Sequence, residues 1–179
     1  MDTTVTTWYL EMTSPDQLRR ARVPSPQPKI ERAEIPCPEF SRFLYTAVGG
    51  DWYWRGRLPW THERWMQWLD RPELQTWVLY DRGTPAGYVE LEKIGDNVEI
   101  AYFGLLPSFI GRGFGGHLLS EGIERAWAMS AKRVWVHTCS LDAKTALANY
   151  QARGLRIYDE KSEAIANLGN PDGPWPGAT

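Results

Sequence analysis

Strict alternation of apolar and polar positions governs some stretches of this chain, and helical spacing governs others. Residues 5–12, VTTWYLEM, are β-branched and aromatic and predict a first strand. Residues 13–38 carry six prolines (Pro15, Pro24, Pro26, Pro28, Pro36 and Pro38) and predict irregular chain with a short helix over Pro15–Arg22. Phe40, Phe43, Leu44 and Val48 recur at helical spacing, and Gly49-Gly50 stops that helix. Thr61 and Glu63 open a second helix, which Pro72 ends.

Three strands follow, Leu74–Tyr80, Ala86–Lys93 and Val98–Leu106, joined by turns at Asp81-Arg82-Gly83 and Gly95-Asp96-Asn97. They predict an antiparallel meander. The period then changes. Phe114, Leu118, Leu119, Ile123, Ala126 and Trp127 form one stripe of a long helix over Gly113–Lys132. A short strand, Arg133–Thr138, comes next. Asp142 is placed to cap a helix over Ala143–Arg153, with Gly154 at its C′ position. Leu155–Asp159 is a last strand, and the Gly/Pro-rich residues 167–179 predict a flexible tail. This order predicts an α/β protein: one mixed, mostly antiparallel central sheet with helices on both faces, a single domain over residues 1–166.

Composition narrows the function classes. The chain has 179 residues, 42% hydrophobic and 23% charged, with a net charge of −2. That balance gives no global field for phosphate backbones, so nucleic acid is not an expected partner. No apolar run reaches the ~18–20 residues of a membrane helix, and the N-terminus has no secretory pattern. A cytoplasmic protein without a membrane partner is the expectation. Cys37 and Cys139, with His62, His117 and His137 far apart in sequence, suggest neither a disulfide framework nor a metal set. Tryptophan is the anomaly: ten residues, five of them between Trp52 and Trp68.

The chemistry-bearing motif is Gly111-Arg112-Gly113-Phe114-Gly115-Gly116, between strand and long helix. Four glycines bring backbone N–H groups together at a helix N-terminus, an arrangement that binds a pyrophosphate through amide donors and the helix dipole. Arg112 adds a charge. The plain alternative is a tight turn with no ligand. No Lys-Ser or Lys-Thr follows, which excludes a P-loop. The preceding strand belongs to a meander, which argues against a dinucleotide fold. A nucleotide-binding domain stays as a third reading.

Gly113-Phe114-Gly115 and the later Ala146-Leu-Ala-Asn-Tyr150-Gln-Ala-Arg-Gly154-Leu155 together resemble the GCN5-related N-acetyltransferase (GNAT) superfamily. The first matches the glycine half of its Gln/Arg-x-x-Gly-x-Gly/Ala signature, with Ile110 in place of Gln or Arg. The second matches its late helix, Ala-x-x-x-Tyr-x-x-x-Gly-Phe, with Leu155 in place of Phe. The resemblance covers residues 5–160 and is strongest over 98–155.

The resemblance implies an acetyl-CoA-dependent N-acetyltransferase with no metal, in which an acceptor amine attacks the thioester directly. It implies that Phe103, Gly104 and Leu105 offer backbone groups to the pantetheine and acetyl carbonyl, and that Gly111–Gly116 hold the pyrophosphate. It implies Tyr150 as the proton donor to the leaving thiolate. It suggests Glu99, eleven residues before Ile110, as the base; Glu90 and Glu92 are rivals. Counting by two puts Glu99, Ala101, Phe103 and Leu105 on one face, with Glu99 roughly 13 Å from Phe103 unless a bulge or water intervenes. His137 is a second base candidate on its reference pKa of about 6.5. Cys139 lies near the same site and reads as a small buried residue, since no base is paired with it.

The segment after the first strand shapes the acceptor pocket in this family, which here means Tyr45, Trp52, Tyr53, Trp54, Arg55, Arg57 and Trp60. Most of the tryptophans read as core, and Trp52 and Trp54 as candidates to line the pocket. Arg55 and Arg57 are placed to pair with a substrate carboxylate. A small-molecule amine is the expected acceptor, with a protein amine as the other option and a homodimer allowed by the resemblance. A non-catalytic acyl-CoA sensor on the same fold is the alternative function.

Overall fold

A computed structural model describes residues 2–175. Seven strands form one sheet: β1 (Asp2–Met12), β2 (Lys29–Arg32), β3 (Leu74–Asp81), β4 (Thr84–Ile94), β5 (Asn97–Leu105), β6 (Arg133–Cys139) and β7 (Arg156–Ala166). Their spatial order is β2-β3-β4-β5-β6-β1-β7, and only the β5–β6 neighbours run parallel. Helices α1 (Pro38–Gly49) and α2 (His62–Leu69) cover one face; α3 (Phe114–Ala128) and α4 (Ala146–Ala152) cover the other. Among the described residues no helix is long and apolar enough to cross a membrane.

The predicted meander is present. Its first turn puts Arg82 and Gly83 at φ 49° and 85°, the left-handed pair that a two-residue hairpin needs. The α3 stripe also packs as expected: Leu118, Leu119 and Ile123 are fully buried against Val89, Leu91 and Val98. Thr61 caps α2, its Oγ1 accepting the Arg64 N–H at 3.2 Å.

Four elements differ from expectation. The Pro-rich segment contains β2, an edge strand paired with β3 from Lys29↔Tyr80 to Arg32↔Trp77. Only Ile30 in it is apolar, so alternation gave no signal. The short helix over Pro15–Arg22 is only a 3₁₀ turn, Pro15–Gln17, because the following residues bond sideways: the Arg19 N–H donates to Arg153 O and the Ala21 N–H to Ser120 Oγ, each at 2.9 Å. Residues 13–28 thus cross α3 to reach the far edge of the sheet. β7 runs seven residues past Asp159 because β1, starting at Asp2, pairs with it throughout. Asp142 does not cap α4. It accepts the Thr138 hydroxyl at 2.7 Å and the Cys139 N–H at 2.9 Å, and α4 begins at Ala146.

The last described residues lie against the body of the protein. Arg55 donates to Asp172 Oδ2 at 2.5 Å and to Leu168 O at 2.8 Å, and the Gly173 N–H donates to Gly50 O at 3.0 Å.

Candidate active site

The site is made by a failure of strand pairing. β5 and β6 pair at Asn97↔Arg133, Val98↔Val134 and Glu99↔Trp135, and then part. Beyond Glu99, β5 keeps β4 as its partner and leaves a bare edge toward β6. A backbone edge without a partner is a row of donors and acceptors available to a ligand.

A β-bulge lies just past the fork. Glu90 pairs with Tyr102 and Leu91 with Ile100, so Ala101 is the extra residue. It reverses the counting by two. Phe103 and Leu105 pack with the α3 core, whereas Tyr102 packs with the α1 core. Glu99 therefore does not share a face with Phe103 and Leu105. It stands opposite Glu92 on the face that α1 and α2 cover.

A cavity of about 500 Å³ fills the fork. Glu99, His137 and Tyr150 all line it, as do Phe103, Gly104, Leu105, Gly115, Trp52, Trp54 and Arg55. Gly104 is needed for a close approach: a Cβ there would meet Val48 Cγ1 of α1 at 2.5 Å. Half-exposed Ile110 stands at the mouth.

His137 and Glu99 form a pair, Nδ1 to Oε1 at 3.3 Å. That hydrogen bond raises the His137 pKa above its ordinary value, against the opposing effect of burial. With Nδ1–H donating to the carboxylate, the neutral ring keeps Nε2 as a proton acceptor. Tyr150 is 5% exposed and meets Phe103 edge-on at 5.9 Å. Burial, and next the Asp142 charge, push its pKa well above the ordinary tyrosine value. Burial likewise raises the Cys139 thiol, so a nucleophilic thiolate is disfavoured there.

The glycine loop stands at the N-terminus of α3. Gly111 and Gly113 take φ 83° and 79°, and a Cβ on Gly111 would meet open space. No side chain caps the helix, so the N–H groups of Phe114, Gly115 and Gly116 have no helical partner. Phe114 contributes only its backbone, since its ring is buried against Phe109. Arg112 is not a free charge: it pairs with Asp81 at 3.0 Å and lies over the Phe109 and Phe114 rings. Arg153, which sequence reasoning passed over, brings its guanidinium into the space a Cβ on Gly116 would need. Its helix position three residues after Tyr150 was the available signal. Asn149 likewise reaches toward Gly115.

The tryptophan cluster has a structural cause. The Arg57 guanidinium lies over the rings of Tyr102 (4.3 Å), Trp68 (4.5 Å), Trp60 (4.8 Å), Trp65 (5.6 Å) and Tyr45 (5.9 Å). It pairs bidentately with buried Glu90 at 2.9 and 2.7 Å. Neither Arg57 nor Arg55, tied to Asp172, has its fork open to a substrate carboxylate.

A mixed sheet forked between its two parallel strands, with a glycine loop before α3, puts a bare backbone edge beside an uncapped helix N-terminus. This chain belongs to the GNAT acetyltransferase family, whose model matches residues 40–155. Solved structures share the fold. A GCN5-related N-acetyltransferase from Sphaerobacter thermophilus superposes with a TM-score of 0.65 at 18% identity, over 95% of this chain and 55% of that one. One from Kribbella flavida gives 0.63 at 19%, over 96% and 61%. An aminoglycoside acetyltransferase from an uncultured soil metagenomic sample gives 0.60 at 17%, over 70% and 86%. The chain thus spans just over half the length of the first two. No curated protein matches it.

The family generally uses acetyl-CoA as donor, and the residues present fit it. The open glycine loop with uncapped amides suits a pyrophosphate, and the bare β5 edge suits an extended amide-bearing arm. Among the described residues no cluster of His, Cys, Asp or Glu could hold a metal.

Proposed function

We propose that this protein transfers the acetyl group of acetyl-CoA to a primary amine by direct attack. The observation that carries the reading is the position of the Glu99–His137 pair and Tyr150 along one cavity, with bare β5 backbone between them. The N–H groups of Gly111 and Gly113–Gly116 hold the pyrophosphate, and the Phe103–Leu105 backbone aligns the thioester arm.

The acceptor arrives as an ammonium and must lose a proton to become a nucleophile. His137 Nε2 takes that proton while Glu99 orients the ring and stabilises the imidazolium. The amine nitrogen then bonds to the acetyl carbon, and the carbon–sulfur bond breaks. The thiolate leaves with the electron pair. Tyr150 stays protonated throughout the physiological range and donates its O–H to the sulfur. The nitrogen releases its second proton as the amide forms; Tyr150 passes its own proton to the sulfur and regains that one, which leaves amide, free CoA thiol and protonated tyrosine.

The test is thiol release with acetyl-CoA over an amine panel. Wild-type protein should turn over. Tyr150→Phe should lose about 10²-fold or more in kcat with little change in donor affinity. Unchanged kcat in Tyr150→Phe would remove Tyr150 from the mechanism.

A further inference from the structure

The charges around the acceptor half of the cavity are unevenly satisfied. Its wall contains two arginines, and both are occupied. Arg57 is 5% exposed and gives both terminal nitrogens to Glu90. Arg55 gives Nε to Asp172 and its terminal nitrogens to the carbonyls of Leu168 and Asn170.

The acids of the same wall are only half occupied. Glu92 and Glu99 stand directly opposite one another on β4 and β5. Arg71 engages Glu92 through Oε1 alone, from both terminal nitrogens at 2.9 Å. His137 likewise meets Glu99 at Oε1. Oε2 of each carboxylate has no donor among the described residues, and both side chains line the cavity. Directly opposed cross-strand carboxylates, with Cβ atoms about 5 Å apart, repel unless a cation lies near both. Trp52, Trp54 and Trp68 line the same cavity.

Resting on the acetyltransferase reading, we infer that the acceptor is a cationic amine that carries no carboxylate: a mono- or diamine whose ammonium meets Glu92 and Glu99 while its apolar or aromatic body lies on the indoles. An ammonium there has two anions and aromatic faces to attract it. A carboxylate on the acceptor would meet two occupied arginines and the charges of Glu92, Glu99 and Asp142. Such a group loses water without gaining a partner, and the site rejects it.

Matched pairs that differ only in the carboxylate test this: tryptamine and tryptophan, phenethylamine and phenylalanine, putrescine and ornithine. Each is measured by thiol release and product mass, and by calorimetry on the protein with CoA bound. The amine of each reactive pair should exceed its amino acid in kcat/KM by about 50-fold or more. Glu92→Gln should raise the amine KM more than it lowers kcat. Asp172→Ala removes the carboxylate that neutralises Arg55 and frees its Nε, and should narrow the ratio by lowering the amino-acid KM. Equal or reversed preference overturns the inference. So does failure of every amine to bind while acetyl-CoA binds, which leaves the donor reading standing. Failure of acetyl-CoA itself to bind overturns the acetyltransferase reading and the inference with it.

Discussion

In the proposed mechanism His137 is the base, and its neighbour Glu99 sets its working pH. The hydrogen bond that its ring N–H donates to Glu99 is the larger cause of its raised pKa, ahead of the opposing effect of burial. As the base it works when neutral, so kcat/KM should rise with pH through a value above the ordinary 6.5 or so. Glu99→Gln removes the raising cause. Its acidic limb should move to lower pH, and kcat should fall about 10-fold or more; an unmoved limb would assign that ionisation elsewhere. Stability carries the same sign. A raised histidine stabilises the fold fully below about 6.5 and loses that contribution as pH climbs through its folded value. The stability gap between wild type and Glu99→Gln should therefore be wider at pH 6 than at pH 9 in urea melts. The sequence named both residues but as rivals, because counting along separate strands does not show that β5 and β6 lie side by side there.

At the scale of elements, the sequence is legible where apolar residues carry the pattern. The meander and α3 stripe alternate at their proper periods, and both are present. The edge strands were hidden: β2 has one apolar residue and β7 is exposed almost throughout, so neither needed a pattern to bury. The Ala101 bulge was also illegible, since an extra residue leaves no mark in composition. Yet it decides which residues of β5 face the α3 core and which face the α1 core. Two variants probe this scaffold. Leu119→Ala empties a fully buried position of α3 and should cost ~2–5 kcal/mol in denaturant unfolding. Gly104→Val drives a side chain into Val48 and should cost ~1–3 kcal/mol or more while closing the gap between α1 and β5. A neutral Gly104→Val would contradict that close packing.

The whole molecule divides its labour between the two faces of one sheet. The α3 face carries the large apolar core and the glycine loop. The α1 and α2 face carries a polar core in aromatic walls, centred on Arg57 and Glu90. That accounts for three of the tryptophans, Trp60, Trp65 and Trp68: a buried ion pair needs enclosure and cation–π partners. Arg57→Ala strands the Glu90 carboxylate and should cost ~3–5 kcal/mol, with a change in tryptophan fluorescence. The sequence showed that the cluster is unusual and predicted most of it to be core; of the five tryptophans, Trp65 is fully buried and Trp52, Trp54, Trp60 and Trp68 are half-buried. That an arginine organises part of it was not legible, because the partners come from α1, α2, β4 and β5. In the proposed function the fork between β5 and β6 holds acetyl-CoA with its pyrophosphate on the glycine loop. Titration calorimetry with acetyl-CoA, CoA and ATP tests it most directly, on wild type and on Gly113→Glu, which places a charge at a left-handed position of that loop. Wild type should bind acetyl-CoA and CoA one-to-one in preference to ATP; binding should be lost in Gly113→Glu and kept in Tyr150→Phe. A wild-type protein that binds no acetyl-CoA, or a Gly113→Glu variant that binds it unchanged, would contradict it.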